Sequence, residues 1–292
     1  MSKQHDKTME DFQRLLKTQN FKSEDEVNEF MSKIAEHPIP SFPEEALSDI
    51  EKAEDLVYEA AELPPVKARK LIAEALLLDR NCISAYEFLA MMEFSPVISL
   101  VFLEKAIAIG QELFLGENAE EFAGHFWDIL ETRPFMRCLQ HYAECHQDMG
   151  LINETILTYE EMLELNPTDN QGVRDFLFLA LIEIGDDRKF EKYNKRYIED
   201  DMTFSKFTRA LFAFKTKGDT KASRKKLEEA MHSNQYVIPK MLSKKVQFQL
   251  PDYYGLGSEE EADYYANCAK TIWQGIPGAI AWLKKNVELS LF

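Results

Sequence analysis

Apolar residues recur every three or four positions along most of the chain, which is the spacing of one face of an α-helix. Leu56, Val57 and Ala60 form one such face, and Leu63-Pro64-Pro65 then makes a turn into the next helix. The pattern predicts an all-α chain built from five helical hairpins. They begin near residues 44, 85, 134, 171 and 204.

Three turn glycines punctuate the central hairpins at nearly constant spacing. Gly150, Gly185 and Gly218 are separated by 35 and 33 residues. A period close to 34 in a helical chain is typical of tetratricopeptide-like repeats, in which each hairpin packs on its neighbours. We therefore expect a right-handed superhelical solenoid of tetratricopeptide-like hairpins with a C-terminal capping helix pair.

Composition shifts and proline clusters predict three parts. Residues 1–43 are an N-terminal helical extension with a Pro-rich linker, 44–245 the repeat array, and 246–292 a C-terminal helical cap. Residues 1 to about 8 are polar and terminal, so disorder is expected there.

Three further boundaries follow from local signals. Gly110 to Gly124 is predicted to be an insertion that interrupts the repeat, so the second helix of the second hairpin is expected to extend before the chain turns. Val237-Ile238-Pro239 is expected to end the fifth hairpin. Ser258 is predicted to cap a helix, with Glu261 as its capping-box partner.

The charge balance excludes some partners. The 292 residues include 34 basic and 51 acidic side chains, for a net charge of −17. Such a chain is poorly suited to binding nucleic-acid phosphates or anionic membrane surfaces. Solubility alone accounts for this charge, and a preference for basic or neutral partners is the alternative.

Cysteine usage and hydropathy point to the cytoplasm. Four scattered cysteines form no disulfide framework, which suits a reducing compartment. The polar start, Met1 to Glu10, does not resemble a signal peptide, and the longest apolar run, Phe176 to Ile184, is too short to span a bilayer. We expect cytoplasmic localisation.

Three groups of residues resemble a known family. They are Phe126-Trp127 with Glu131–Arg137; Leu165–Arg174; and a tail of Val237–Leu242, Gly257–Ala266, Trp273 and Pro277–Leu283. Their order and spacing resemble soluble bacterial tetratricopeptide proteins related to the suppressor of tumorigenicity 7 family, over about residues 45 to 285. The resemblance implies a helical-repeat fold without a settled enzymatic activity. Animal members look membrane-anchored, and this chain lacks the apolar segments for that.

Two arginines one helical turn apart are the first candidate site. Arg133 and Arg137, beside Glu131, have the spacing to grip a carboxylate. Arg174 opens the next repeat and is expected on the same side of the solenoid. The alternative is a structural ion pair with Glu131 or Asp128.

The groove lined by the first helix of each hairpin is the second candidate. Positions equivalent to those of a chaperone-tail clamp hold no basic residue and no Asn. They are Gln140 and Glu144, Asp175 and Leu179, and Thr208 and Phe212. Asn170 lies at a helix start, where it can cap. Phe212, with Phe207, Tyr253 and Tyr254, could hold an apolar segment or belong to the core.

A group of cysteines and histidines on one predicted helix is a weak candidate for a metal site. Cys138, His141 and Cys145 share one helix face, with His146 and His125 close in sequence. No CxxC pair supports them, so we expect neither metal nor cofactor.

These observations favour a non-enzymatic scaffold that binds a protein or peptide on the concave face of the array. The expected contact residues are Glu131, Arg133, Arg137, Gln140, Asn170, Arg174 and Phe212. The chain lacks a Gly-rich phosphate loop, GxSxG and HExxH. The alternative is a small-molecule binder or enzyme with a pocket around Arg133, Arg137 and Arg174. A monomer or weak homo-oligomer is expected.

Overall fold

The structure is a computed structural model that describes residues 3–19, 21–35, 44–117, 119–243 and 254–290. Every regular element in these ranges is helical, and none of the described residues forms a strand. The predicted all-α class is confirmed. The chain divides into two compact units, Met1–Gln171 and Gly172–Phe292, which we describe separately.

The first unit contains nine α-helices among its described residues. They are α1 (Lys3–Lys17), α2 (Glu24–Ala35), α3 (Asp49–Ala61), α4 (Pro65–Leu78), α5 (Ile83–Met91), α6 (Pro96–Phe114), α7 (Ala119–Phe122), α8 (Arg133–Asp148) and α9 (Ile152–Leu165). A 3-10 turn, Leu130–Thr132, leads into α8. Consecutive helices pack as the pairs α3–α4, α5–α6 and α8–α9, and α8 also packs on α6.

Local signals explain where the first pair begins and turns. Ser48 and Glu51 form a reciprocal capping box at the start of α3. Pro65 opens α4, where its missing N–H costs no hydrogen bond. The seam between the two helices is built from small buried side chains, which let the helix axes approach closely. They are Ala53, Ala60, Ala68 and Ala75.

The second helix of the second hairpin extends into the Gly110–Gly124 segment as predicted, and Gly110 lies inside α6. A Cβ at that position would collide with the ring of Phe135 on α8. Glycine is therefore present to let α8 pack closely on α6, and its turn-forming tendency is overridden. The helix continues to Phe114 before the chain turns.

The hairpin α8–α9 follows the sequence prediction closely. Pro134 is the second residue of α8, and Gly150 turns the chain with φ of 74°. That positive φ favours glycine over any residue with a Cβ. The apolar face of α8 and α9 is buried, as its spacing predicts. It includes Leu139, Ala143, Tyr159, Met162 and Leu163.

The second unit contains seven α-helices among its described residues. They are α10 (Val173–Ile184), α11 (Asp187–Arg196), α12 (Thr203–Lys217), α13 (Lys221–Ser233), α14 (Val237–Leu242), α15 (Glu259–Gly275) and α16 (Ala279–Ser290). Gly185 ends α10 and Gly218 ends α12 at the predicted turns. The pairs α10–α11 and α12–α13 pack together, and α15 contacts α16.

Two predictions near the end of the chain need correction. Val237-Ile238-Pro239 begins α14 and does not end a helix, because Pro239 falls in the first turn, where a proline breaks no helical bond. Ser258 does cap α15. The Glu261 carboxylate, however, accepts a hydrogen bond from the Gly257 N–H at 2.8 Å, in place of the Ser258 N–H that a capping box would use. Residues 244–253, between α14 and this cap, lie outside the described residues.

The N-terminal residues also differ from expectation. Disorder was predicted to about residue 8, whereas α1 begins at Lys3 and packs on α3. Met1, Ser2 and most of the Pro-rich linker, 36–43, lie outside the described residues. The division at 43/44 and 245/246 stays a prediction. No helix in the described part of the chain is both long and apolar enough to cross a membrane.

Candidate functional site

The two arginines of the first candidate site converge on one carboxylate from α1. Arg133 Nη1 donates to Asp6 Oδ1 at 2.8 Å, and Arg137 Nη1 donates to Asp6 Oδ2 at 2.7 Å. Asp6 is 4% exposed. The pair therefore does hold a carboxylate, and that carboxylate belongs to the same chain.

Arg137 is shared with a second buried acid, Glu87 of α5. Its Nε lies 3.0 and 3.1 Å from the two carboxylate oxygens of Glu87. Burial by itself would lower the pKa of Arg137, but the charges of Glu87 and Asp6 outweigh burial and raise it. Arg137 thus stays fully charged and joins α1, α5 and α8 in one network.

Arg133 is fixed by the loop that precedes α8. Its Nε donates to the Trp127 carbonyl at 2.8 Å, and its guanidinium carbon lies 5.6 Å from the centroid of the Trp127 ring. A cation over an indole face is a favourable arrangement. The arginines therefore form structural ion pairs within the chain, as the alternative reading of the sequence predicts. The acids are Asp6 and Glu87, and not Glu131 or Asp128.

Three other predicted contact residues of the first unit lie apart from this carboxylate. Glu131 is exposed. Gln140 donates to Glu144 at 3.1 Å and accepts from Gln171 at 3.0 Å. Asn170 is exposed and donates to Asp128 at 3.2 Å. Their roles in partner binding stay predictions.

The remaining predicted contact residues belong to the second unit. Arg174 Nε donates to Asp200 at 2.7 Å, so its charge is compensated within that unit. Phe212 stacks on Phe190 with ring centroids 3.8 Å apart. Phe207, weighed with it, is fully buried, which favours the core alternative for that residue. Tyr253 lies outside the described residues.

The cysteine–histidine set of α8 is part of the packed interior. Cys138 and Cys145 are buried, and the ring of His146 lies 4.3 Å from that of Tyr142, centroid to centroid. In the described ranges no three His, Cys, Asp or Glu side chains are placed to hold a metal ion.

Helix α1 is fastened along its length by further charged contacts. Arg14 donates to Asp55 at 2.9 and 3.1 Å and to Asp11 at 3.1 Å. Lys7 bonds to the same two acids, at 2.6 Å for Asp55 and 2.8 Å for Asp11. Since these groups are only partly exposed, solvent screens them less than surface pairs.

Glu10 lies on the same face of α1 and is unusual in its ionisation. Tyr58 of α3 donates to its Oε1 at 2.7 Å. Burial raises the pKa of Glu10 to about 7, and the nearby Glu54 carboxyl adds to the effect. Tyr58, Arg14 and Lys7 oppose the rise but do not cancel it.

A cavity of about 560 Å³ lies beneath α1 in the first unit. Its walls come from α1, α3, the turn before α5, the end of α6 and the segment that enters α8. Glu131 and Pro134 line it, but neither Arg133 nor Arg137 does. The cavity could not be predicted from the sequence, because its walls come from segments far apart in the chain.

Comparison with known proteins adds no relative. No protein-family model matches the chain, and neither the curated proteins nor the solved structures contain a significant match. The resemblance to the suppressor of tumorigenicity 7 family stays a prediction.

Proposed function

We propose that the protein is a non-enzymatic interaction module that binds a partner protein on its helical hairpins. On this proposal the hairpins within each unit follow the right-handed, tetratricopeptide-like superhelical arrangement that the glycine period predicts. The observation that carries the proposal is an exposed apolar surface where α5 turns into α6. We call it the α5–α6 patch, and it consists of Met91, Phe94, Val97, Ile98 and Val101.

The residues of the α5–α6 patch are close in sequence and strongly exposed. Phe94, in the turn, is as exposed as in an extended chain, and Val97 and Val101 are 61% and 63% exposed. Val97, Ile98 and Val101 are spaced to share one face of α6. Clustered apolar side chains of this size in water mark surfaces that are covered by another protein.

The α5–α6 patch lies on a different face of α6 from the face that packs in the core. Ser99, Leu103 and Ala106 are buried against the rest of the unit. The first half of α6 thus has two non-charged faces, and packing among the described residues explains only one of them. A partner with an apolar helix face would cover the other, with side chains inserted between its residues.

Matched valine substitutions test this proposal. Val101→Asp places a charge in the α5–α6 patch, whereas Val66→Asp places one at an exposed residue at the start of α4. Affinity capture from native lysate with quantified recovery should yield a partner with wild type and Val66→Asp, and lose it with Val101→Asp. Equal recovery with all three proteins would contradict the proposal. A wild-type dimer that Val101→Asp dissociates would assign the patch to self-association.

The arginine pair supports a second contact on the same module. The contacts with Asp6 show that Arg133 and Arg137 can bind a carboxylate, each by donating one charge-assisted hydrogen bond. An acidic side chain of a partner helix would need to replace Asp6 there. A peptide that binds this site should therefore bind more tightly when Asp6 is changed to Asn, and unchanged affinity would remove the arginine pair from the interface.

A further inference from the structure

The cavity beneath α1 is lined by both apolar side chains and carboxyl groups. The apolar lining comes from α3, α5, α6 and the turn before α8. Its residues are Ile50, Ile83, Leu113, Phe114 and Leu130. A volume of about 560 Å³ is within the range of small-molecule sites.

Carboxyl groups outnumber basic groups around this cavity by five to two. The acids are Glu10, Glu51, Glu54, Asp79 and Glu131, and the bases are Arg14 and Lys17. Arg14 pairs with Glu10 at 3.8 Å and with Glu51 at 3.5 Å, besides Asp55 and Asp11. Glu54, Asp79 and Glu131 remain against Lys17, so the lining keeps an acidic excess, which favours a positively charged guest.

Glu54 provides an independent indication of a ligand. Its Oε1 accepts a weak bond from the Cys82 thiol at 3.5 Å. Its Oε2 is closed off from solvent and has no hydrogen bond of normal geometry among the described residues, although the nearby Ser84 hydroxyl lowers the pKa of this carboxyl. A buried oxygen without a donor is costly, and such atoms in folded proteins call for an explanation.

We propose that this cavity binds a small primary amine with an apolar body, whose ammonium group donates to Glu54 Oε2 and whose apolar body lies against Ile83 and Phe114. An ammonium ion supplies both the missing donor and the missing positive charge. A carboxylate or phosphate would be repelled by the excess of acidic side chains, and a neutral apolar guest would leave Glu54 Oε2 unsatisfied.

Proton release is part of this binding step. Burial raises the pKa of Glu54 above its usual value and raises that of Glu10 to about 7, so Glu10 is partly protonated at neutral pH. When the ammonium ion enters, it favours the ionised form of Glu10, and the proton that this side chain loses passes to the buffer. Up to one proton is released for each cation taken up.

Three six-carbon probes distinguish the possible guests. Calorimetric titration of the full chain at pH 7 compares hexylamine, hexanol and hexanoate. Hexylamine should bind saturably, at least about tenfold more tightly than either other probe, since one charge-assisted bond is involved. Its apparent enthalpy should vary with the ionisation enthalpy of the buffer. Equal binding of hexanol, or no saturable binding of hexylamine, would overturn the proposal.

A matched pair of variants locates the ammonium group. Glu54→Gln should weaken hexylamine binding by about tenfold or more. Glu131→Gln alters an exposed carboxyl at the edge of the same cavity and should change it less than about threefold. If both changes weakened hexylamine binding equally, non-specific electrostatic attraction to the acidic lining would explain the binding. That result would contradict a specific bond to Glu54.

Methyl NMR on the wild type keeps the test independent of how the variants fold. Hexylamine should shift the methyl resonances of Ile50 and Ile83, which line the cavity, and leave that of Ile72, which is fully buried elsewhere in the unit. Shifts confined to other methyl groups would place the amine outside the cavity and overturn the assignment.

Discussion

Asp6 and Arg137 lie 131 positions apart in the sequence, and their side chains meet at 2.7 Å. Arg137 bonds at the same time to Glu87, so one guanidinium links α1, α5 and α8. The first helix is thereby joined to the hairpins that follow it through buried charges, and this arrangement has measurable consequences.

Removing the charge of Asp6 should loosen α1. Asp6→Asn keeps the size of the side chain but takes one carboxylate away from Arg133 and Arg137, and we expect a loss of about 2 kcal/mol in unfolding free energy. Hydrogen exchange at the amides of α1 should accelerate. Glu29→Gln removes a well-exposed pair with Lys33 and should leave both quantities unchanged. Unaltered exchange in Asp6→Asn would show that the two ion pairs do not hold α1 in place.

Removing Arg137 should be more damaging than removing Asp6. Arg137→Met leaves Glu87, which is 3% exposed, without the guanidinium, and an uncompensated buried charge costs about 3–5 kcal/mol. The double variant Glu87→Leu/Arg137→Met should recover part of this loss. Denaturant unfolding of the wild type, Arg137→Met, Glu87→Leu and the double variant gives the coupling energy directly. A double variant less stable than Arg137→Met alone would contradict this account.

Glu10 should make stability depend on pH near neutrality. Its pKa in the folded chain is about 7, above the usual value of 4.5, so the folded state holds the proton more tightly than the unfolded state. This stabilisation is complete below the unfolded pKa and is lost as the pH rises through 7. Relative to Glu10→Gln, the wild type should lose about 2 kcal/mol between pH 5 and pH 8.

Unfolding midpoints of the two proteins across that pH range test the prediction. The groups that face Glu10, which are Tyr58, Glu54, Arg14 and Lys7, are present in both. Their own titration therefore largely cancels in the difference. Parallel pH profiles would mean that Glu10 has an ordinary pKa.

Gly110→Ala should destabilise the protein even though alanine favours helices. The added Cβ would collide with the Phe135 ring, and overpacking of this kind costs about 1–3 kcal/mol. Gly275→Ala, at the end of α15, meets open space and should change stability by less than about 0.5 kcal/mol. Thermal unfolding of the wild type and both variants measures these changes in stability. A Gly110→Ala variant more stable than the wild type would disprove the close contact.

The hairpins could be predicted from the sequence because their signals are local. Pro65 and Pro134 mark helix starts, and Gly150 and Gly185 mark turns, through backbone constraints that depend on neighbouring residues only. Gly110 shows the limit of this reasoning. Its helix is set by contact with Phe135, 25 residues further on, which no local pattern encodes.

The candidate site was predictable in its chemistry but not in its partner. The spacing of Arg133 and Arg137 correctly indicated a pair that holds a carboxylate. Asp6 was assigned to a disordered end, although Lys7, Asp11 and Arg14 have the three- and four-residue spacings of a helix with paired charges. That charge pattern was the available signal. The cavity had none, because Glu10, Glu54 and Leu113 meet only after folding.

Because Glu10, Arg14 and Lys17 of α1 form one wall of the cavity, docking of this helix and occupation of the cavity are a single linked equilibrium. A guest that needs this wall binds the docked form only, and so raises the free energy of undocking in proportion to its concentration and affinity. Reciprocity then requires that any partner that removes α1 also expels the guest. Two ligands that never touch would in this way compete for one chain.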